Sequence, residues 1–149
     1  MIPLESLKKC EIFSSLKDYE LEVIGEIAKL ATYKTGTRIF EENSIATNLY
    51  FICKGKVEIS MRSSQGKGML PIDELGEGEI FGWSAVTTPH SFTAAAHVLE
   101  DSEFIVLKGE VLRDLFKKNN HIGYEVMMKV ATVISSRLRN LNQKMVNIQ

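Results

Sequence analysis

Phe81-Gly82-Trp83-Ser84-Ala85-Val86-Thr87-Thr88-Pro89-His90-Ser91-Phe92-Thr93-Ala94-Ala95-Ala96 is the stretch from which the rest of the chain can be read. A strand end, Glu79-Ile80-Phe81, runs into Gly82. A short run able to form one helical turn follows, then a Pro-containing loop, then an Ala/Thr strand. At the start of such a turn the backbone N–H groups lack intrahelical acceptors, and the positive end of the helix dipole adds to them. Gly82, with no Cβ, allows both the tight turn and the close approach of a ligand to the backbone. The segment therefore reads as an anion cradle between two strands.

Outward from this segment, residues 32–108 alternate short β-branched and aromatic runs with turn signals at Gly36, Gly55, Gly66–Gly68, Gly76–Gly78 and Glu100-Asp101. That spacing predicts an antiparallel β jelly roll. Val57-Glu58-Ile59-Ser60-Met61-Arg62 alternates and should present one face inward and one outward. Ser63 to Gly68 reads as a hairpin loop. Helices are expected on both sides. Ser15 with Asp18 forms a capping-box pattern, and Leu21, Ile24, Ala28 and Ala31 share one helical face, so the N-terminal helices are placed over 4–31. Val111, Leu112, Leu115 and Phe116 mark a short amphipathic helix, which Asn119-Asn120 breaks. A long helix then runs from His121 to about Lys144, so the C-terminal helices occupy 110–144. Its apolar stripe is wide enough to lie on the barrel along one edge and meet a second copy along the other. Val126, Val130, Ile134 and Leu141 are its candidate dimer contacts; the alternative is that the helix packs only on its own barrel. The whole chain, 1–149, reads as one domain.

Bulk properties exclude several functions. The chain has 149 residues, a net charge of −1, 44% hydrophobic and 25% charged residues, and an isoelectric point of about 6.3. These values give no electrostatic case for nucleic acid or an anionic membrane. No apolar stretch approaches the ~20 residues of a membrane span, and the N-terminus lacks the long apolar run of a signal peptide. Cys10 and Cys53 stand apart and read as reduced cytosolic thiols, Cys53 being a packing residue. His90, His97 and His121 form no metal-binding pair, His97 is expected to face outward on its strand, and no nucleophile elbow is present. No catalytic residue, metal or cofactor is assigned. Arg137, Arg139 and Lys144 read as cations favoured near the last helix's C-terminus.

Several motifs in order carry a resemblance. Ile12-Phe13-Ser14-Ser15-Leu16, Gly36-Thr37-Arg38-Ile39-Phe40, Leu49-Tyr50-Phe51-Ile52-Cys53-Lys54-Gly55-Lys56-Val57, and Phe81-Gly82 with Ala85, Val86, Ala94 and Ala96 together resemble the cyclic nucleotide-binding domain of the catabolite-activator and protein-kinase-A regulatory type. The resemblance covers about residues 4–143. It implies a jelly roll with flanking helices, a phosphate-binding cassette over Gly82–Thr93, and dimerisation through the long helix. In that family a Glu takes the ribose hydroxyl and an Arg the cyclic phosphate. Here Trp83 stands in the Glu place and Phe92 in the Arg place. The lost guanidinium removes a bidentate, permanently charged phosphate ligand. Losing such a partner typically costs ~2–5 kcal/mol. That is roughly thirtyfold to a few thousandfold in affinity.

The resemblance thus implies a cytoplasmic, non-enzymatic effector-sensing domain that is not a tight cyclic AMP binder. The pocket is assigned to Gly82, Trp83, Ser84, Ala85, Val86, Phe92, Thr93 and Ala94. Its partners are a small-molecule effector, a cyclic nucleotide or another, and a second copy of the chain. Trp83 and Phe92 would stack on a ring or line an apolar pocket, and His90 would supply a switchable positive charge. Only about five residues follow Lys144, too few for the helix-turn-helix module of the family's transcription factors, so direct nucleic-acid binding is not expected. A shift at Glu110–Phe116 would pass occupancy to the long helix. The competing readings are an interaction module with a vestigial pocket and a barrel enzyme, for which the metal ligands and triad are missing.

Overall fold

Two long strands organise the molecule in the computed structural model, which describes residues 1–148; Gln149 lies outside the described residues. In chain order the elements are α1 (Leu4–Leu7), a 3-10 turn (Glu11–Phe13), α2 (Asp18–Ile27), β1 (Ala28–Tyr33), β2 (Arg38–Phe40), β3 (Asn48–Arg62), β4 (Met69–Leu75), β5 (Ile80–Phe81), a second 3-10 turn (Trp83–Ala85), β6 (Ala95–Lys108), α3 (Gly109–Lys118) and α4 (Asn120–Ile148). The six strands are antiparallel in the order β1-β6-β3-β4, with β2 also on β6 and β5 also on β3. This is the antiparallel jelly roll with flanking helices that the turn spacing and the family resemblance predict.

Two turn signals lie inside strands instead. Gly55 is within β3 and Glu100-Asp101 within β6. Their pairing slips between Ile52 and Val57, so the strands bend there rather than reverse. Gly55 has φ +107°, and a Cβ on it would lie 2.0 Å from Ser102 Oγ. Only glycine satisfies both constraints. A second slip, between Ile59 and Ser60 opposite β4, disrupts the alternation expected over 57–62. Val57 and Ser60 are both buried, while Ile59 is half-buried. His97 does not face outward. It is half-buried, with Nε2 3.3 Å from Glu58 Oε1, its partner across the β3–β6 ladder.

The helix–strand boundary also moves. Leu21 and Ile24 are buried as the helical face requires, but α2 stops at Ile27. Ala28 and Ala31 pair with Leu107 and Phe104 of β6. Both alanines fit either period, and ladder formation with β6 decides the outcome. The helix start moves too. Lys17, not Ser15, precedes the first turn, and its N–H donates to Glu20 Oε1 at 3.0 Å.

Asn119 separates α3 from α4, its side-chain oxygen accepting the Ile122 N–H at 3.1 Å. Ile122, Val126 and Val130 are fully buried against the N-terminal helices and barrel. This corrects the dimer assignment, because Val126 and Val130 are spent on the subunit's own core. Ile134 and Leu141 are half-buried and turn toward the cassette. The solvent face of α4 carries Tyr124, Met128, Leu138 and Met145 instead.

Candidate functional site

The cassette begins where β5 pairs with β3 through Tyr50–Phe81 and Phe51–Ile80. Gly82 follows with φ +82°, and a Cβ there would sit 2.8 Å from the Asn48 carbonyl oxygen and 3.1 Å from the Tyr50 ring. Glycine is therefore needed for conformation and for space. The turn Trp83–Ala85 closes with Ala85 N–H to Gly82 O at 3.1 Å and Val86 N–H to Trp83 O at 2.9 Å. The first-turn N–H groups of Trp83 and Ser84 have no intrahelical acceptor.

The return loop is held on both sides. His90 Nδ1 donates to the Ser84 carbonyl at 3.0 Å, so this ring is a staple across the cassette and is absent from the chamber lining. Phe92 N–H donates to Ser44 O at 2.9 Å, and Asn43 N–H to Phe92 O at 2.7 Å. The Phe92 side chain is only 4% exposed. It stacks on Phe40, ring centroids 3.6 Å apart, beside Ala46 and Ala85.

Six of the eight assigned residues meet around one chamber of about 70 Å³: Gly82, Trp83, Ser84, Phe92, Thr93 and Ala94. Ala85 and Val86 do not line it. Ala85 is fully buried in the Phe92 cluster, and Val86 packs toward the main core. An adjoining groove of about 230 Å³ runs under α4, between Ile59, Met61, Ile72 and Trp83 on one side and Ile134, Leu138 and Leu141 on the other. A larger depression, about 550 Å³, lies elsewhere between the N-terminal segment and the sheet, lined by Ile2, Lys9, Leu30, Phe51, Cys53 and Glu103 among others. Burial pushes the Cys53 thiol up, and Cys10 further still.

Sequence reasoning missed two arginines. Arg137 does not extend into solvent. Its guanidinium lies 4.9 Å from the Trp83 ring centroid, donates to the Ile80 carbonyl, and lines both the chamber and the groove. Burial pushes it below the usual arginine range, while Glu79 and Asp73 act in the opposite sense. The signal was present: Val130, Ile134, Arg137 and Leu141 share one face of the helical period, so a charge sits inside an apolar stripe. Arg113 of α3 donates to the Ala85 carbonyl. Gly109, at the start of α3, fits directly under Ala85, where a Cβ would be 2.4 Å from the carbonyl oxygen. The cassette is thus held by both C-terminal helices.

Among the described residues, no group of three or more His, Cys, Asp or Glu is placed to hold a metal ion, and no helix is long and apolar enough to cross a membrane.

The family model of the cyclic nucleotide-binding domain matches residues 30–119. The chain is 22% identical over 144 residues to the CRP-like cAMP-activated global transcriptional regulator of Mycobacterium tuberculosis, covering 97% of this chain and 62% of that protein. It is 29% identical over 93 residues to the cAMP-dependent protein kinase type II regulatory subunit of Drosophila melanogaster, covering 62% of this chain and 24% of that one. The chain therefore spans less than two thirds of the relatives it matches. Among solved structures, a candidate cyclic nucleotide-binding protein of Geobacter metallireducens superposes with TM-score 0.83 at 31% identity, covering 93% of this chain and 99% of that one. A cyclic nucleotide-binding domain from Methylobacillus flagellatus superposes with TM-score 0.84 at 18% identity over 98% of this chain and 82% of that one, a likeness of fold.

Proposed function

The chain belongs to the cyclic nucleotide-binding domain family, and from that premise we propose that it is a cytoplasmic, non-enzymatic effector-sensing domain that holds cyclic AMP weakly or takes a different small effector. The observation that carries this reading is the character of the chamber. Trp83 and Phe92 present aromatic surface where the family's resemblance calls for a carboxylate and a guanidinium, and the Phe40–Phe92 stack leaves about 70 Å³. Ligand sites for molecules of nucleotide size usually run to ~300–1,000 Å³. A nucleotide would have to extend from the chamber into the adjoining groove of about 230 Å³, with its phosphate held without a cassette arginine.

Occupancy has a short route to the helices. The turn that would touch the ligand is tied to α3 through Arg113 and Gly109. An effector that prefers one placement of Trp83–Ala85 would shift the population of placements of α3 and α4, in proportion to its differential affinity. The exposed series Tyr124, Met128, Leu138 and Met145 on α4 supports a homodimer in which that face is the seam.

Calorimetric titration with cyclic AMP and cyclic GMP tests the proposal. A site that would hold a nucleotide at ~1 µM with its guanidinium present is expected here between ~30 µM and a few mM. A submicromolar dissociation constant would overturn the reading. The second reading, an interaction module, is favoured by the same Phe40–Phe92 stack, since it fills the pocket with the protein's own side chains. It requires that neither nucleotides nor small acids raise the melting temperature.

A further inference from the structure

Arg137 is a half-buried cation whose direct contacts are neutral groups. Its two contacts are the Ile80 carbonyl and the face of Trp83. A guanidinium carries five N–H donors; one side of it is held by the Ile80 carbonyl, and since none of its nitrogens is both buried and unpartnered, the other N–H groups are open to solvent or to a ligand. No carboxylate lies within 4.0 Å of it among the described residues; Asp73 and Glu79 are the acids whose fields reach it. Positions 130, 134 and 141 on the same helical face are Val, Ile and Leu. Partial burial without an ion partner disfavours the charged group, and an apolar residue of similar size would fill the same place on the helix face.

Its position is specific. Arg137 lines the chamber, the apolar groove under α4, and a further cavity of about 280 Å³ with Asp73 and Lys144. It is also the one cationic side chain lining the chamber or the groove among the described residues. Thr93 and Ser84 line the same chamber and bring hydroxyls. Ile59, Ile134 and Leu138 line the groove beside it.

We infer that Arg137, carried by α4 rather than by the cassette, is the residue that recognises the effector's anionic group, and that the effector is an organic anion whose apolar or aromatic body lies in the groove under α4. The inference rests on the effector-sensing reading and deepens it. On binding, the guanidinium exchanges a carbonyl and a ring face for an oxyanion, which it holds through two parallel N–H···O bonds. Because the recognising side chain belongs to α4, holding the anion and positioning that helix become one event. The competing account makes Arg137 a structural brace between α4 and Ile80.

Trp83 is the only tryptophan in the chain, so its fluorescence reports the guanidinium lying on it. Wild type, Arg137→Gln and Arg137→Lys would be titrated with phenyl phosphate and with cyclic AMP, with melting temperatures measured alongside. The expected result is a saturable change in Trp83 emission with phenyl phosphate, weakened at least tenfold in Arg137→Gln and less in Arg137→Lys, which keeps the charge without the planar fork. This pattern sustains the inference even if cyclic AMP fails to bind, in which case only the nucleotide part of the functional reading falls. Equal affinity of wild type and folded Arg137→Gln for a probe that binds overturns the inference and leaves the effector-sensing reading standing. No saturable change with either probe in wild type overturns both.

Discussion

Replacing Gly109 by alanine separates two opposing terms. Gly109 is the first residue of α3, and glycine-to-alanine changes at compatible backbone positions stabilise by ~0.4–1 kcal/mol through the unfolded chain. Here the new methyl would meet Ala85 at three atoms: the carbonyl oxygen at 2.4 Å, Cβ at 2.8 Å and the carbonyl carbon at 3.0 Å. None of these is the end of a flexible side chain. Ala85 is fully buried, and its carbonyl is also held by Arg113. The Gly109 N–H is anchored to Thr47 O at 2.8 Å, so the glycine side is fixed too. Overpacking of this kind costs ~1–3 kcal/mol and occasionally more. With two rigid partners the upper part of that range applies, leaving a net loss of about 1–3 kcal/mol after the entropic gain. For a chain of this size each kcal/mol moves the melting point by ~2–4 °C, so calorimetry should show a fall of roughly 2–12 °C. A melting point equal to or above wild type would refute the reasoning: the contact between α3 and the cassette would then be soft and unable to transmit occupancy.

Two further outcomes can be checked on the same instruments. Burial pushes the Glu20 carboxyl up, but the Lys17 N–H and His121, whose Nδ1 is 2.6 Å away, together hold it below the usual carboxylate range. A carboxyl lowered in the folded chain stabilises above its unfolded value, near 4.5, and that contribution is lost as pH falls through the folded value. Melting temperature should therefore drop as pH falls below about 4.5 in wild type and less steeply in Glu20→Gln, which at pH 7 should be less stable by ~1–3 kcal/mol; parallel pH profiles would remove Glu20 from the account. Phe92→Ala removes the stack on Phe40 and should cost ~3–5 kcal/mol in denaturant unfolding; a loss under ~1 kcal/mol would show that the ring is not a packed wall of the chamber.

The features readable in the sequence were those that backbone geometry enforces. Gly82 could be placed as a tight turn because no other residue fits beside Asn48 and Tyr50. The apolar positions Leu21, Ile24 and Leu112 could be placed because burial follows the helical period. Features decided by partners distant in sequence were harder to read. Ala28 and Ala31 become strand because β6 lies beside them. Gly55 resembles a turn glycine until Ser102 is seen to cross it. The chamber's aromatic wall followed from Trp83 and Phe92, whereas its cation did not, because Arg137 lies far along the chain and reads like any helix-end charge. The misassigned dimer residues have the same origin. A helical stripe shows which residues want burial, and which of two partners buries them is settled by the packing of the whole chain.

The central role of β6 also bears on how the molecule forms. β6 pairs with β1, β2 and β3, joining Ala28 to Leu107 and Asn48 to Lys108. Until Lys108 has left the ribosome, β1 and β2 have no ladder partner and the aromatic interior around Phe81 and Phe104 cannot close. The loop-closure entropy must be met before any of these contacts returns free energy, which places folding in the slow range of β-rich topologies, milliseconds to seconds. During that interval Leu49-Tyr50-Phe51-Ile52 has β5 on one edge but lacks β6 on the other, and that open apolar edge is the segment through which nascent chains of this protein would associate with one another.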